Sequence, residues 1–375
     1  MIKSLGHAGT HRRVAINVGS GFVPGTNAVV MGAAIAGGRL GWEMIGIRDG
    51  FAGLLFPENY PNGGLVALSP ELIENLDPST GGILGQSPRV DPFHATTASG
   101  KEVDLSDAIL KRMKEEDIDA LISIVSGQGL GILQKLHNKG LHTVCIPRSI
   151  ENDIATTAIS FGFNSALSVT IEMLNKAYQA AKSASKIAVV EVPGEHAGWI
   201  ALQAGIAVRA DAVLIPEITC DIKNLAKRLK DKISIRRPYG LVVVAEGAKL
   251  GDAPKTREGD SAVSPSETMA VGQVASTVAS RLQKLLTAET YPLVIGSWAR
   301  GGNPTATDHQ LGMAYGAGSV QVLKGGQNGV MVSFMPPDIS FVPFKDAVDK
   351  VRIVPADSEF IRIAYSLGVY LGQGL

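Results

Sequence analysis

Residues Pro147–Ile154 read PRSIENDI and follow the apolar run Val144-Cys145-Ile146. One cation, Arg148, and two carboxylates, Glu151 and Asp153, stand within six residues of one another. Moving a phosphoryl group to an alcohol calls for these residue types. One carboxylate accepts the alcohol proton, a second helps to hold Mg2+, and a cation faces the transferring oxygens. A helix cap followed by a solvated turn would use the same residues, so the segment alone leaves both readings open.

Other loops carry related chemistry. Gly19–Asn27 (GSGFVPGTN) and Ser126–Gly131 (SGQGLG) each follow an apolar run and precede a helical pattern. Small residues there let backbone N–H groups approach a ligand, and the start of a helix favours an anion. Neither loop matches the P-loop or the dinucleotide fingerprint, and glycines also occur in such turns for steric reasons alone. Two such loops in one sheet would suit a polyphosphate better than either alone. Val192–Gly198 (VPGEHAG) places Glu195 and His196 after a further apolar run, and Glu246 ends the run LVVVAE. In Trp298–Asp308 (WARGGNPTATD), Gly301 and Gly302 allow a sharp turn beside Arg300, whose fork suits phosphate.

The elements that would position these loops alternate along the chain. Strands are expected at Arg13–Val18, Glu43–Ile47, Ala120–Val125, His142–Ile146, Ile187–Val192, Ala212–Ile215, Leu241–Ala245 and Leu293–Ile295. Helices are expected at Asn27–Ala36, Asp107–Glu116, Leu130–Lys139, Leu167–Ala181, Ile200–Val208, Ile222–Lys232 and Glu267–Leu286. Such alternation predicts an α/β fold with mostly parallel sheets covered on both faces and ligands at the carboxyl ends of the strands. Two stretches, 57–97 and 247–266, are rich in Pro, Gly and polar residues and read as excursions.

The 375 residues suit about two domains. Lys+Arg and Asp+Glu both number 35, so nothing in the charge points to a nucleic-acid or membrane-surface partner. No apolar run reaches the ~18 residues of a membrane helix, and the start MIKSLGHAGTHRR has no apolar signal core. The two cysteines, Cys145 and Cys220, read as buried free thiols. A cytoplasmic protein is expected.

Taken in order, the loops resemble the 6-phosphofructokinase family. That family shows GGDxPGxN, GGDGS or GGDDS, P-x-TIDND, MGR, a Glu ending a strand, and RGGxPxxxD. The corresponding segments here are GSGFVPGTN, SGQGL, PRSIENDI, PGEHAG, VAEG and ARGGNPTATD. The resemblance implies two doubly wound, mostly parallel domains with an active site in the cleft between them. Residues 1–162 plus 299–348 would take the donor phosphates and Mg2+, and 163–298 plus 349–375 the sugar phosphate. It implies ATP or pyrophosphate as donor, fructose 6-phosphate or a related sugar or polyol as acceptor, and a homodimer or homotetramer.

Residue by residue, the resemblance makes Glu151 the general base, with Asp153 as the second acid and Mg2+ ligand. Arg89 would reach the transferring phosphoryl group, and Gly21, Gly127, Gln128 and Gly129 would lie along the donor. Arg148 stands where a Lys is common in pyrophosphate-dependent enzymes, while Gly129 leans toward ATP. Ser149, Lys186, Glu195, Glu246, Ser297 and Arg300 fall at acceptor positions. Several positions depart from the pattern: Phe22 and Gln128 replace Asp, Glu151 is one methylene longer than the usual Asp, and Glu195 and Tyr291 replace Arg. These departures leave a second reading beside the active phosphotransferase, that of a catalytically impaired homologue that binds ligand and regulates a catalytic partner.

Overall fold

The computed structural model describes residues 12–77, 82–85, 91–96, 100–251 and 272–372. Its strands are β1 (Arg13–Val18), β2 (Glu43–Ile47), β3 (Leu65–Ala67), β4 (Ala95–Thr96), β5 (Glu102–Val103), β6 (Ala120–Val125) and β7 (Thr143–Pro147). They continue as β8 (Ile187–Val192), β9 (Ala212–Leu214), β10 (Gly240–Ala245), β11 (Thr290–Val294), β12 (Val330–Met335) and β13 (Asp338–Pro343). The chain divides into two compact units. One comprises Met1–Ile150, Ile154–Asn164 and Asn303–Lys350, and the other Glu151–Asp153, Ser165–Gly302 and Val351–Leu375.

The first unit is built on a seven-stranded sheet in the order β13-β12-β7-β6-β1-β2-β3. Pairing is parallel from β12 to β2, and only the edge strands β3 and β13 run antiparallel. Every residue of β6 (ALISIV) and β7 (TVCIP) is buried. Continuous apolar runs of this kind belong to strands covered on both faces. Between β1 and β6 the order of the sheet reverses: β2 lies on one side of β1 and β6 on the other. This switch point opens a crevice at the strand ends, where ligands bind in open α/β sheets.

The second unit carries a four-stranded parallel sheet in the order β11-β8-β10-β9. β8 and β10 are buried throughout. The helices Ile222–Lys232 and Gln273–Leu285 pack Leu225, Leu229, Val278 and Leu282 onto this sheet.

The strands and helices expected from sequence are present, with ends shifted by a few residues. One shift matters. The helix expected from Leu130 begins at Gly127, so most of SGQGLG is the first helical turn. For the expected helix 267–286, the described part runs Gln273–Leu285, and 267–271 lie outside the described residues. The stretch 57–97 contains β3 and a short helix, Pro70–Glu74, capped by Ser69, whose hydroxyl accepts the Leu72 N–H. The helix Ala306–Lys324 and the hairpin β12–β13 were not legible beforehand. That helix is buried on most sides, so its sequence lacks an amphipathic stripe. Among the described residues no helix is long and apolar enough to cross a membrane.

Candidate active site

In the first unit, three neighbouring strands end side by side. β1 and β6 pair with Val18 opposite Ile124, and β6 and β7 with Val125 opposite Pro147. Their carboxyl ends therefore bring together the Gly19–Gly25 loop, the helix start at Gly127 and Arg148. Ser126, Gly127 and Gln128 are exposed, so the N-terminus of the helix Gly127–Asn138 is open to solvent. A side chain at Gly129 would place its Cβ 2.5 Å from Cβ of Val125, so the glycine lets the helix start close on β6. An aspartate could not stand there without moving the strand.

Arg148 is 2% exposed. Its Nη1 donates to the Gly21 carbonyl at 2.7 Å, and its Nη2 donates to the Ser20 carbonyl. Its main-chain N–H donates to the Val125 carbonyl at 3.0 Å. The guanidinium thus ties the first glycine loop to the end of β7. Arg89 lies outside the described residues. Ser149 follows Arg148 directly and is half-buried.

In the second unit, the carboxyl ends of β8, β10 and β11 carry Glu195, Glu246 and Arg300. β8 and β10 pair with Val192 opposite Ala245, and Glu246 follows at once. The Gly194 N–H donates to Oε1 of Glu246 at 3.3 Å. Glu151 belongs to this group: its Oε2 accepts the main-chain N–H of Glu195 at 3.1 Å. Burial, with Asp153 and Glu246 nearby, pushes the Glu151 carboxyl up to about 8, against the pull of the Glu195 N–H and Arg300. Burial also raises Glu246, with Glu191 and Glu195 adding to the rise. A carboxylate held near neutrality in this way is suited to exchanging a proton.

The loop geometry depends on one close approach. At Gly247 a Cβ would lie 2.0 Å from the Glu195 carbonyl oxygen, and the Gly247 N–H donates to the Gly194 carbonyl at 3.0 Å. Only a glycine lets the two strand-end loops meet here.

Not every expected residue joins this group. Lys186 precedes β8 and is ion-paired with Glu289 at 2.6 Å. It stands at the amino end of a six-residue strand whose carboxyl end leads to Glu195, roughly 20 Å away along the strand. Ser297 is exposed and lies on a short helical turn with Arg300. It also lines a shallow cavity of about 450 Å3 with Val169, Met173 and Trp298.

Two supporting acids were missed in the sequence reading. Glu191, 1% exposed, accepts the N–H groups of Gly272 and Ala275 and so caps the helix Gln273–Leu285. Glu217 accepts the N–H groups of Gly198 and Val354, both at about 3 Å. For Glu191 a signal existed: a lone acid inside the apolar run IAVVEV must find partners when buried.

Comparison with known proteins shows the family. Residues 13–323 match the family model described as Phosphofructokinase. The chain is 34% identical to an ATP-dependent 6-phosphofructokinase of Chloroflexus aurantiacus, over 98% of this chain and all of that enzyme. It is 30% identical to a pyrophosphate–fructose 6-phosphate 1-phosphotransferase of Dictyoglomus thermophilum, over 89% of this chain and 94% of that enzyme. Among solved structures it superimposes on phosphofructokinase from Saccharomyces cerevisiae with a TM-score of 0.72 at 24% identity. That match covers 89% of this chain and spans 45% of the length of the yeast chain. The family-model match over residues 13–323 and the near full-length match to named enzymes place the chain in the phosphofructokinase family.

Proposed function

We propose that this protein transfers a phosphoryl group from ATP or pyrophosphate to fructose 6-phosphate or a closely related acceptor, with Glu151 as general base. The observation that carries the reading is the Glu151 carboxylate. It is seated on the Glu195 N–H, held near neutrality, and accompanied by Asp153, Glu246 and Arg300 in the same unit. A base of this kind, in its ionised form, accepts the acceptor hydroxyl's proton as the hydroxyl oxygen bonds to the transferred phosphorus and the donor's bridging P–O bond breaks, releasing ADP or phosphate. Arg300 and Glu246 orient the acceptor, the cation toward its phosphate and the acid toward its hydroxyls. Ser149, Ser297 and Glu195 are further acceptor-side contacts, with Glu195 acting on Glu151 through its main chain.

On the first unit, Gly21 and the helix start at Gly127, Gln128 and Gly129 present N–H groups to the donor phosphates. Arg89 is the expected cation on the transferring group. Arg148 holds the loop that carries Gly21. Its guanidinium donates to two carbonyls of that loop, and the donor stays open between ATP and pyrophosphate.

The acidic surroundings of Glu151 suit a divalent cation, since burial and two neighbouring acids leave its charge poorly balanced. Mg2+ in phosphoryl-transfer sites is held by one or two carboxylates together with the substrate's phosphates. Asp153 would hold it here, and the ion would neutralise charge on the donor phosphates. Gln128 adds no charge to that task.

The near full-length match to named enzymes and the retained acids at 151 and 153 speak against a purely regulatory homologue. Lys186 and Tyr291 lie away from the gathered acids, so a contribution from them to phosphate binding would come through a second copy of the chain in a dimer or tetramer. The buried free thiols Cys145 and Cys220 are in keeping with a reducing cytoplasm. The test is a coupled assay of the purified protein with Mg2+, offering ATP and pyrophosphate separately against fructose 6-phosphate, other sugar phosphates and free polyols. Turnover is expected with fructose 6-phosphate and lost in Glu151→Gln. Undiminished turnover in that variant removes Glu151 as base.

A further inference from the structure

Residues 351–354 run beside the tripeptide Glu151–Asp153. The main-chain N–H of Arg352 donates to the Asp153 carbonyl at 2.7 Å, and Nη1 of Arg352 donates to the Asn152 carbonyl at 3.3 Å. The guanidinium carbon lies 4.2 Å from the centre of the Trp199 ring, and Nε1 of Trp199 donates back to the Arg352 carbonyl at 2.9 Å. Trp199 is 5% exposed and begins the helix that follows the Glu195 loop. Two residues on, the Val354 N–H donates to Glu217, which also accepts the Gly198 N–H.

These contacts converge on a backbone turn with a positive φ. Asn152 is buried and has φ +55, in the left-handed region that asparagine adopts more readily than most non-glycine residues but that still costs energy. It sits directly between the two acids. The Arg352 stack and hydrogen bonds fix its carbonyl and the next one. Through Trp199 the same contacts reach the loop whose Glu195 N–H seats the Glu151 carboxylate.

We propose that Arg352 and Trp199 form a latch that sets the main chain of Glu151–Asp153 and the loop opposite it, and so act as positioning residues for phosphoryl transfer. The inference rests on Glu151 as base. A misplacement of about 1 Å in a reacting group can cost on the order of 100-fold in rate, so the latch should act on turnover rather than on binding.

The experiment compares wild type, Arg352→Ala, Arg352→Lys, Trp199→Phe and Glu151→Gln. Steady-state kinetics use fructose 6-phosphate, Mg2+ and whichever of ATP or pyrophosphate supports turnover. Hydrogen–deuterium exchange is followed on the peptides covering residues 148–156. Arg352→Ala is expected to lower kcat about 10–100-fold with both KM values within about threefold. Exchange at 148–156 should speed up well beyond any global change. Lysine keeps the charge but not the planar stack and fork, so it should not restore turnover. Trp199→Phe keeps a ring, loses the 2.9 Å hydrogen bond and should fall between. Unchanged exchange at 148–156 in both Arg352→Lys and Trp199→Phe overturns the latch, even if Arg352→Ala fails to fold. So does a kcat within twofold of wild type in Arg352→Ala while Glu151→Gln is inactive. Turnover that survives in Glu151→Gln instead overturns the base assignment, and the exchange data then still decide the latch.

Discussion

The main-chain N–H of Glu195 lies 3.1 Å from Oε2 of Glu151 and donates to it. Two residues that depart from the motifs the segments resemble meet in this contact. The longer acid at 151 reaches a backbone donor, and the position that exchanges Arg for Glu contributes its amide, while its residue stays exposed to solvent. A side chain of either charge is compatible with that amide.

The amide's place depends on Gly247. A methyl group there would meet the Glu195 carbonyl oxygen at 2.0 Å and push the Glu195 backbone away from residue 247. Gly247→Ala should therefore lower kcat by about 10–100-fold through displacement of the base. It should also destabilise the fold by about 1–3 kcal/mol, as overpacking does. Steady-state kinetics and urea denaturation on the same preparation check both parts. A variant with wild-type kcat would detach the Glu195 amide from catalysis.

Glu151→Gln should show an opposite sign in stability. The carboxyl is pushed from 4.5 to about 8, so the folded state holds a proton that the unfolded chain releases. The contribution is fully present below about pH 4.5 and is lost as pH rises through 8. Glutamine cannot ionise, so the variant should gain on wild type as pH rises from 5 to 8.5. Denaturation at pH 5 and pH 8.5 without substrate tests this. Equal stability differences at both pH values would mean that Glu151 titrates normally.

How far this was readable from sequence differs between the units. The loops of the first unit were legible because each follows an uninterrupted buried strand such as ALISIV, and parallel strands put all their carboxyl ends at one edge. The loop contacts of Arg148 were not legible. Its charge suggested a phosphate, but only the register of β6 against β7 shows that its fork reaches two carbonyls of the first loop. In the second unit, the grouping of Glu151 with Glu195 rests on a main-chain donor, which leaves no mark in residue types. Arg352 lies 201 positions after Glu151, outside every loop with a recognisable pattern, so its contact is purely tertiary. The helix Ala306–Lys324 escaped because burial on most sides erases the period that marks a surface helix.

Arg148 gives a prediction about the donor. Lysine keeps the charge but offers one ammonium in place of a planar fork, so it cannot hold both the Gly21 and Ser20 carbonyls in the present geometry. Arg148→Lys should loosen the first loop and raise the donor KM by about 10-fold, with the acceptor KM within about twofold. Initial rates across both concentration series separate the two. A rise confined to the acceptor KM would place Arg148 on the wrong substrate.

Glu151→Asp restores the acid usual in the family, and here it should harm the enzyme. Shortening the side chain by one methylene withdraws the carboxylate from the Glu195 N–H, which is already at 3.1 Å. The backbone cannot follow, because Asn152 is buried at φ +55 and the carbonyls of Asn152 and Asp153 are bound by Arg352. A base drawn back by about 1 Å from both its donor and the acceptor hydroxyl should lose about 10–100-fold in kcat. Single-turnover rates with pre-bound donor and acceptor isolate the chemical step. A rate equal to wild type would show that the segment relaxes to suit either acid, and the fixed main chain described above would then not be what sets the reach of the base.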